Sequence, residues 1–153
     1  VIGKHIEFEI GSKTNRIVEI MPAPLRLINT AWVYDKMSKT LFTSDMFTYG
    51  LSGKPDDKWI LEKDNQFCDN QFIKSFMLNT RYWWLEGAKT NLLRKNIQSI
   101  FEKYNITTIA PGYGKLFQGK ELVEKQFVKL DTILSEFDVS KTKAYYISRN
   151  HLR

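Results

Sequence analysis

Three loop positions carry side chains whose types could do chemistry together. Asp45 lies in Thr43-Ser44-Asp45-Met46-Phe47, directly after the apolar pair Leu41-Phe42. A carboxylate there needs a cation or hydrogen-bond donors, because burying one alone is costly. An aspartate that caps the following turn is the plainer alternative. Tyr113 stands between Gly112 and Gly114 in Pro111-Gly112-Tyr113-Gly114, where backbone without a Cβ turns tightly and admits a close neighbour. Arg26 follows the break made by Pro22 and Pro24. The other reactive types read as bystanders. His5 sits on a strand face, His151 in the C-terminal tail, and Cys68, beside Asp69, is an ordinary thiol. One cysteine excludes an intramolecular disulfide framework, and two histidines leave little for a self-contained zinc site.

The elements that must position these loops are legible from periodicity. His5–Ile10 alternates, with Ile6, Phe8 and Ile10 on one face and Glu7 and Glu9 on the other, which predicts a half-buried strand. Gly11–Asn15 is turn chemistry. Arg16–Ile20, Thr30–Tyr34 and Thr40–Thr43 predict three more strands of a meander, the last two joined by a polar hairpin at Asp35–Lys39. Gly50–Asp57 is a loop, and helices dominate after it. Asn70–Leu78 predicts a helix with Phe72, Phe76 and Met77 inward. Lys89–Tyr104 predicts a second, with Leu93, Ile97, Ile100, Phe101 and Tyr104 recurring at helical spacing. Asn105–Ala110 predicts a strand, and Gly119–Phe137 a last helix with the stripe Val123, Phe127, Leu130, Leu134 and Phe137. Strands followed by helix, strand and helix predict an α/β layered domain. The Pro111–Gly114 loop then falls at the carboxyl end of a strand, where such folds place ligands.

Composition narrows the class. The chain has 153 residues, 42% hydrophobic and 26% charged, which excludes disorder, collagen and coiled coil. No apolar run approaches the ~18 residues of a membrane span, and no secretory signal pattern opens the chain, so a cytoplasmic location is expected. Charge is uneven: residues 1–70 carry a net −1 and residues 71–153 a net +7. A basic half is compatible with nucleic acid, but without a block of like charges a solvated helix face is favoured. The cluster Arg81-Tyr82-Trp83-Trp84 offers rings on which bases could stack, with core or interface anchoring favoured.

Leu41-Phe42-Thr43-Ser44-Asp45-Met46-Phe47 resembles the LF-[ST]-x-D-x-F segment of metallo-β-lactamase-fold proteins, in particular the flavodiiron or oxygen-binding di-iron branch. Ile109-Ala110-Pro111-Gly112-Tyr113-Gly114 resembles that family's I-A-P-G-H-G loop. Pro24–Asp35 (PLRLINTAWVYD) is similar to the segment where a ligand histidine precedes a short turn and a strand ending in Tyr-Asp. The helix with Lys120-Glu121-Leu122-Val123-Glu124 fits the one after the last ligand loop. The resemblance implies an α/β fold that is half of an αββα sandwich, mostly antiparallel strands and then helix–strand–helix. Residues 1–137 would form the C-terminal half of the domain and residues 138–153 a basic tail.

The family's H-x-[HE]-x-D-H motif, which belongs to the N-terminal half, is not in this sequence. Of the three ligand positions implied here, only Asp45 matches; Arg26 and Tyr113 fall where histidines are expected. A guanidinium offers a metal no lone pair and stays protonated at neutral pH. The expectation is that Arg26, with the Tyr113 hydroxyl, neutralises Asp45 without an ion. The chain then reads as a degenerate, non-catalytic binding or structural subunit, with no cofactor of its own. In the alternative, Asp45 contributes to a dinuclear iron or zinc site completed by an N-terminal half, active as an oxygen- or nitric-oxide-reducing oxidoreductase or as a hydrolase. Nucleic-acid binding through the basic half is the third reading. Half a sandwich exposes an apolar sheet face. A complementary N-terminal half or partner chain is therefore expected, either separate or as the rest of a longer protein, and dimerisation is less favoured.

Overall fold

The computed structural model describes residues 5–11, 15–26, 28–51, 54, 56–64 and 68–139. Alternating residues build a meander of β1 (Ile6–Ile10), β2 (Arg16–Pro22), β3 (Ala31–Asp35) and β4 (Thr40–Ser44), each antiparallel to the next. β5 (Ile60–Leu61) and α1 (Asn70–Asn79) follow, then a single 3-10 turn at Trp83–Leu85 and α2 (Asn91–Lys103). β6 (Thr108–Pro111), β7 (Leu116–Gln118) and α3 (Lys120–Val139) complete the order. β6 lies parallel to β4, and β7 is antiparallel to β6 and parallel to β5. The described strands form one sheet in the order β1-β2-β3-β4-β6-β7-β5. Among the described residues no helix is long and apolar enough to cross a membrane.

Register divides the side chains between two faces, since directly paired residues share a face. Met21 with Trp32, Tyr34 with Leu41, and Ile109 with Phe117 point one way. They join Ile73, Met77, Ile97, Leu130, Leu134 and Phe137 of the helices in one core. α1 starts on Asp69, whose Oδ1 accepts from the Phe72 amide at 2.7 Å. α2 and α3 run antiparallel, tied by Thr90 Oγ1 donating to the Leu134 carbonyl, by Arg94 on Asp131, and by the stacked rings of Phe101 and Phe127.

Among the described residues the opposite face has no layer on it. Ile6, Ile20, Val33, Phe42 and Ala110 stand in direct register across five strands. Ile6, Phe8, Ile10, Phe42 and Ile60 are each 43–49% exposed. One sheet and one helix layer make up the half-sandwich that the sequence predicts. The alternation of β1 is as expected, but its apolar side is not buried, because nothing among the described residues packs against it. In α1 the buried pair is Ile73 and Met77, while Phe72 is turned outward: α1 packs on α3 along the 73/77 line. α3 continues two residues past the expected end at Phe137. The tail beyond Val139, where the run Ala144–Ile147 could add a strand by its sequence, lies outside the described residues, as does His151.

Candidate functional site

Because β4 and β6 are parallel neighbours, the loops that follow them emerge at the same end of the sheet. That end carries both Asp45 and Tyr113. The β4 loop is unusually constrained. Ser44 (φ 52°) and Phe47 (φ 63°) both occupy the left-handed region, which is disfavoured for side chains of this kind. Phe47 is held there by burial against Trp32, Tyr49 and Phe127. Thr43 Oγ1 donates to the Met46 carbonyl at 2.9 Å, and Thr48 Oγ1 to the Asp45 carbonyl at 3.1 Å. Asp45 is thus fixed on a tight turn and leaves 19% of its side chain open.

The glycines flanking Tyr113 allow the β6 loop to approach. The Gly112 amide donates to the Ser44 carbonyl at 2.7 Å, and a Cβ on Gly112 would come within 3.0 Å of that oxygen. At Gly114, with φ +83°, a Cβ would lie 2.9 Å from the Gly50 carbonyl. Lys115 continues the junction through its amide to the Gly50 carbonyl at 2.7 Å and its ammonium to Asp57 at 3.3 Å.

The cation on Asp45 is Arg81. Its Nη1 lies 3.1 Å from Asp45 Oδ1, and its guanidinium carbon sits 5.5 Å from the centre of the Tyr113 ring. Interaction with the Tyr113 side chain, and then with the Asp45 carboxylate, holds the guanidinium above its ordinary pKa. Local geometry explains how Arg81 gets there. α1 ends at Asn79, and the Tyr82 amide donates back to the Met77 carbonyl at 2.9 Å, which drives the Tyr82 ring into the core at 3% exposure. Arg81, one residue earlier, is swung towards the loops. The buried Tyr82 hydroxyl has no hydrogen-bond partner among the described residues. Burial, and then the Asp45 charge, push its pKa well up.

Arg26 is placed differently from the expectation. Leu25 is buried in the core, so the next side chain turns out to solvent, and no ion pair joins Arg26 to Asp45. The sequence therefore brings Asp45 and Tyr113 together as expected and supplies the guanidinium from another element. Arg81 was visible only as part of an aromatic cluster. The signal that could have found it is its position one residue past a helix end and one before a tyrosine that must be buried.

The bystanders stay apart from this cluster. Cys68 is buried, its thiol pKa raised by that burial, and its Sγ lies 3.7 Å from the Tyr49 carbonyl oxygen. His5 Nδ1 lies 3.4 Å from Tyr104 Oη, beside a network around the buried Glu19. A metal ion is poorly served at the loops: one carboxylate oxygen is already on Arg81, and a phenol stands where an imidazole was expected. Among the described residues there is no group of three or more His, Cys, Asp or Glu that could hold an ion.

The fold defined by this sheet, helix layer and loop pair is that of the flavodiiron proteins and of the ODP chemotaxis sensor. The chain overlays the rubredoxin oxygen:oxidoreductase of Desulfovibrio gigas with a TM-score of 0.62 at 13% identity, over 88% of this chain and 31% of that one. It overlays the flavodiiron protein of Giardia intestinalis with a TM-score of 0.59 at 17% identity, over 86% of this chain and 29% of that one. For the apo ODP sensor of T. denticola the values are 0.57 and 19%, over 98% of this chain and 54% of that one. The chain thus spans about half the length of the ODP chain and under a third of the flavodiiron chains. At these identities the likeness is one of fold. No protein-family model matches the sequence, and no curated protein does.

Proposed function

We propose that this chain is a non-catalytic half of a flavodiiron-like, metallo-β-lactamase-fold protein. It acts as a cytoplasmic binding or structural subunit in a larger assembly, its folded half running to the end of α3 at Val139 and followed in sequence by a basic segment. Its uncovered sheet face docks on a complementary N-terminal half or partner chain. The observation that carries this reading is the row Ile6, Ile20, Val33, Phe42 and Ala110, an apolar stripe across the sheet with no layer against it among the described residues. Solvated antiparallel sheets alternate apolar-in with polar-out, so a row that stays apolar from β1 to β6 supports covering, although the next row on the same face turns polar at Asp35, Thr40 and Thr108. The share of the related chains that this one leaves unmatched fits a second half in that place.

The described part of the basic half does not favour nucleic acid; Lys141, Lys143, Arg149 and Arg153 lie outside the described residues. All but Lys95 of the described lysines and arginines between residues 71 and 139 have a carboxylate within 4.0 Å. Charges paired in this way present little net field to a polyanion.

The test is association. Phe42→Glu puts a charge in the centre of the open face without touching the helix-side core. In the whole protein that carries this chain, it is expected to separate the two halves, or a subunit from its partner, as read by sedimentation velocity. A wild-type chain that stays monomeric alone, binds no apolar dye and is indifferent to Phe42→Glu refutes the docking. Two equivalents of iron or zinc per assembly, lost with Asp45→Asn, refute the non-catalytic part.

A further inference from the structure

We propose that the partner covers the open sheet face as a band, the apolar row nearest the loops after β4 and β6, and that the polar row beside it from β3 to β7 stays wet as the rim of the contact. This footprint rests on the docking proposed above and adds where the contact begins and ends. The first row is Ile6, Ile20, Val33, Phe42 and Ala110. It continues to the far edge of the sheet. Ile109 pairs with Phe117 on the core side, so Leu116 stands beside Ala110 on the open side, together with its β5 partner Ile60. The band therefore crosses all seven strands, a span of about 29 Å at the usual strand spacing. It is open at both ends and in the middle, with Ile6, Phe42 and Ile60 all more than two-fifths exposed. On β1 the exposed Phe8 makes it broader.

The second row runs Phe8, Val18, Asp35, Thr40, Thr108 and Gln118, nearer the amino ends of β4 and β6. From β3 onward it is polar, and at its centre the chain satisfies its own groups. Asp35 is fully buried and accepts from Arg16 Nε and from the Met37 amide, each at 3.1 Å, and from the Ser38 hydroxyl, which also donates to Thr40 Oγ1 at 2.9 Å. The outer side of Arg16 remains in water, its side chain 43% exposed. A layer laid over this row would dry a charged group and offer it nothing new, whereas a layer laid over the first row removes apolar surface from water. The band holds no charged side chain, so the surface that fits it is an uncharged apolar strip bordered by polar groups, the pattern of a contact with a dry centre and a wet rim. The complementary half is the occupant. The match to the ODP chain leaves close to half of that chain unmatched, enough for a second layer. Phe42 and Ala110 lie three residues before Asp45 and Tyr113, so the dry seam runs along the loop end of the sheet.

The test is a thiol footprint of the whole protein carrying this chain, in its assembled state. Phe42→Cys and Ile60→Cys sample the band, and the exposed Gln118→Cys samples the polar row. Wild type, whose Cys68 is buried, gives the background. Each variant is reacted with N-ethylmaleimide, followed by mass spectrometry, and its rate is divided by that of the same variant unfolded in urea. Both band positions are expected to react about tenfold or more slower than Gln118→Cys. Ile6→Cys gives the same reading if Phe42→Cys does not fold. A slow Gln118→Cys beside slow band positions means that the whole face is covered: the bounded footprint falls and the docking stands. A slow Phe42→Cys with a fast Ile60→Cys ends the contact short of β5 and also overturns the footprint. Fast reaction at both band positions overturns the docking itself. Protection of the band that is lost on dilution, when one kind of chain alone is present, makes a second copy the occupant and overturns the choice of the complementary half.

Discussion

Glu19 lies on the helix side of β2 with its side chain almost fully buried, and it anchors β2 to the end of α2. Tyr104 Oη donates to it, Lys36 Nζ lies at 2.9 Å and Lys103 Nζ at 3.3 Å. Burial by itself would raise the carboxyl pKa, but the hydrogen bonds from Tyr104, Lys36 and Lys103 outweigh it and bring the value from 4.5 down to about 2. That difference corresponds to about 3 kcal/mol of folding free energy. The folded carboxyl binds its proton less tightly than the unfolded one. The contribution is therefore complete above the unfolded value and is lost as pH falls from 4.5 through about 2. Glu19→Gln removes it at neutral pH and leaves the two lysines facing a neutral amide. Urea unfolding at pH 7, 5, 4 and 3 is expected to show a gap of about 3 kcal/mol between wild type and variant at pH 7, closing progressively below pH 4.5. Asp35, lowered from 3.8 to about 2 chiefly by Arg16, weakens both proteins in the same acid range, so the gap between them isolates Glu19. A gap that stays constant with pH refutes the ion-pair account and points to lost packing.

Other variants test other joints. Gly114→Ala meets both a positive φ and a carbonyl at 2.9 Å, and is expected to cost about 2 kcal/mol or more by thermal unfolding. Tyr82→Phe removes a buried hydroxyl with no partner among the described residues, so its expected effect on stability is within about 0.5 kcal/mol of zero or favourable, read by the same melt. Arg94→Ala breaks a two-pronged but partly exposed pair with Asp131 at 2.7 Å, and a loss of about 1 kcal/mol at most is expected, shrinking in high salt.

The meander and the long helices were legible because each carries a full apolar period. Val123, Phe127, Leu130, Leu134 and Phe137 recur often enough to define α3 without help from the rest of the chain. β5 and β7 were not legible, since two or three residues carry no period; pairing of Ile60 with Leu116 and of Ile109 with Phe117 makes them strands. Asp45 and Tyr113 were brought together from sequence through the family resemblance of their two loops, with Gly112 and Gly114 announcing a close approach; that the two loops follow neighbouring parallel strands is seen only in the structure. The cation could not be read in the same way. Which arginine reaches a carboxylate depends on how the end of α1 is oriented, and that is fixed by the burial of Tyr82 and Leu85 and by the packing of α1 on α3. Local sequence around Arg26, two prolines and a loop, says nothing of the outward turn that Leu25 imposes.

The uncovered stripe from Ile6 to Ala110 has a consequence for the life of the protein in a cell. If the proposed docking holds, copies in which that face is not yet covered display a greasy sheet with a bare outer strand, the kind of surface that chaperones hold and proteases sample. Under that proposal the level of the protein depends on how readily the face is covered, with uncovered copies cleared whatever the rate at which they are synthesised.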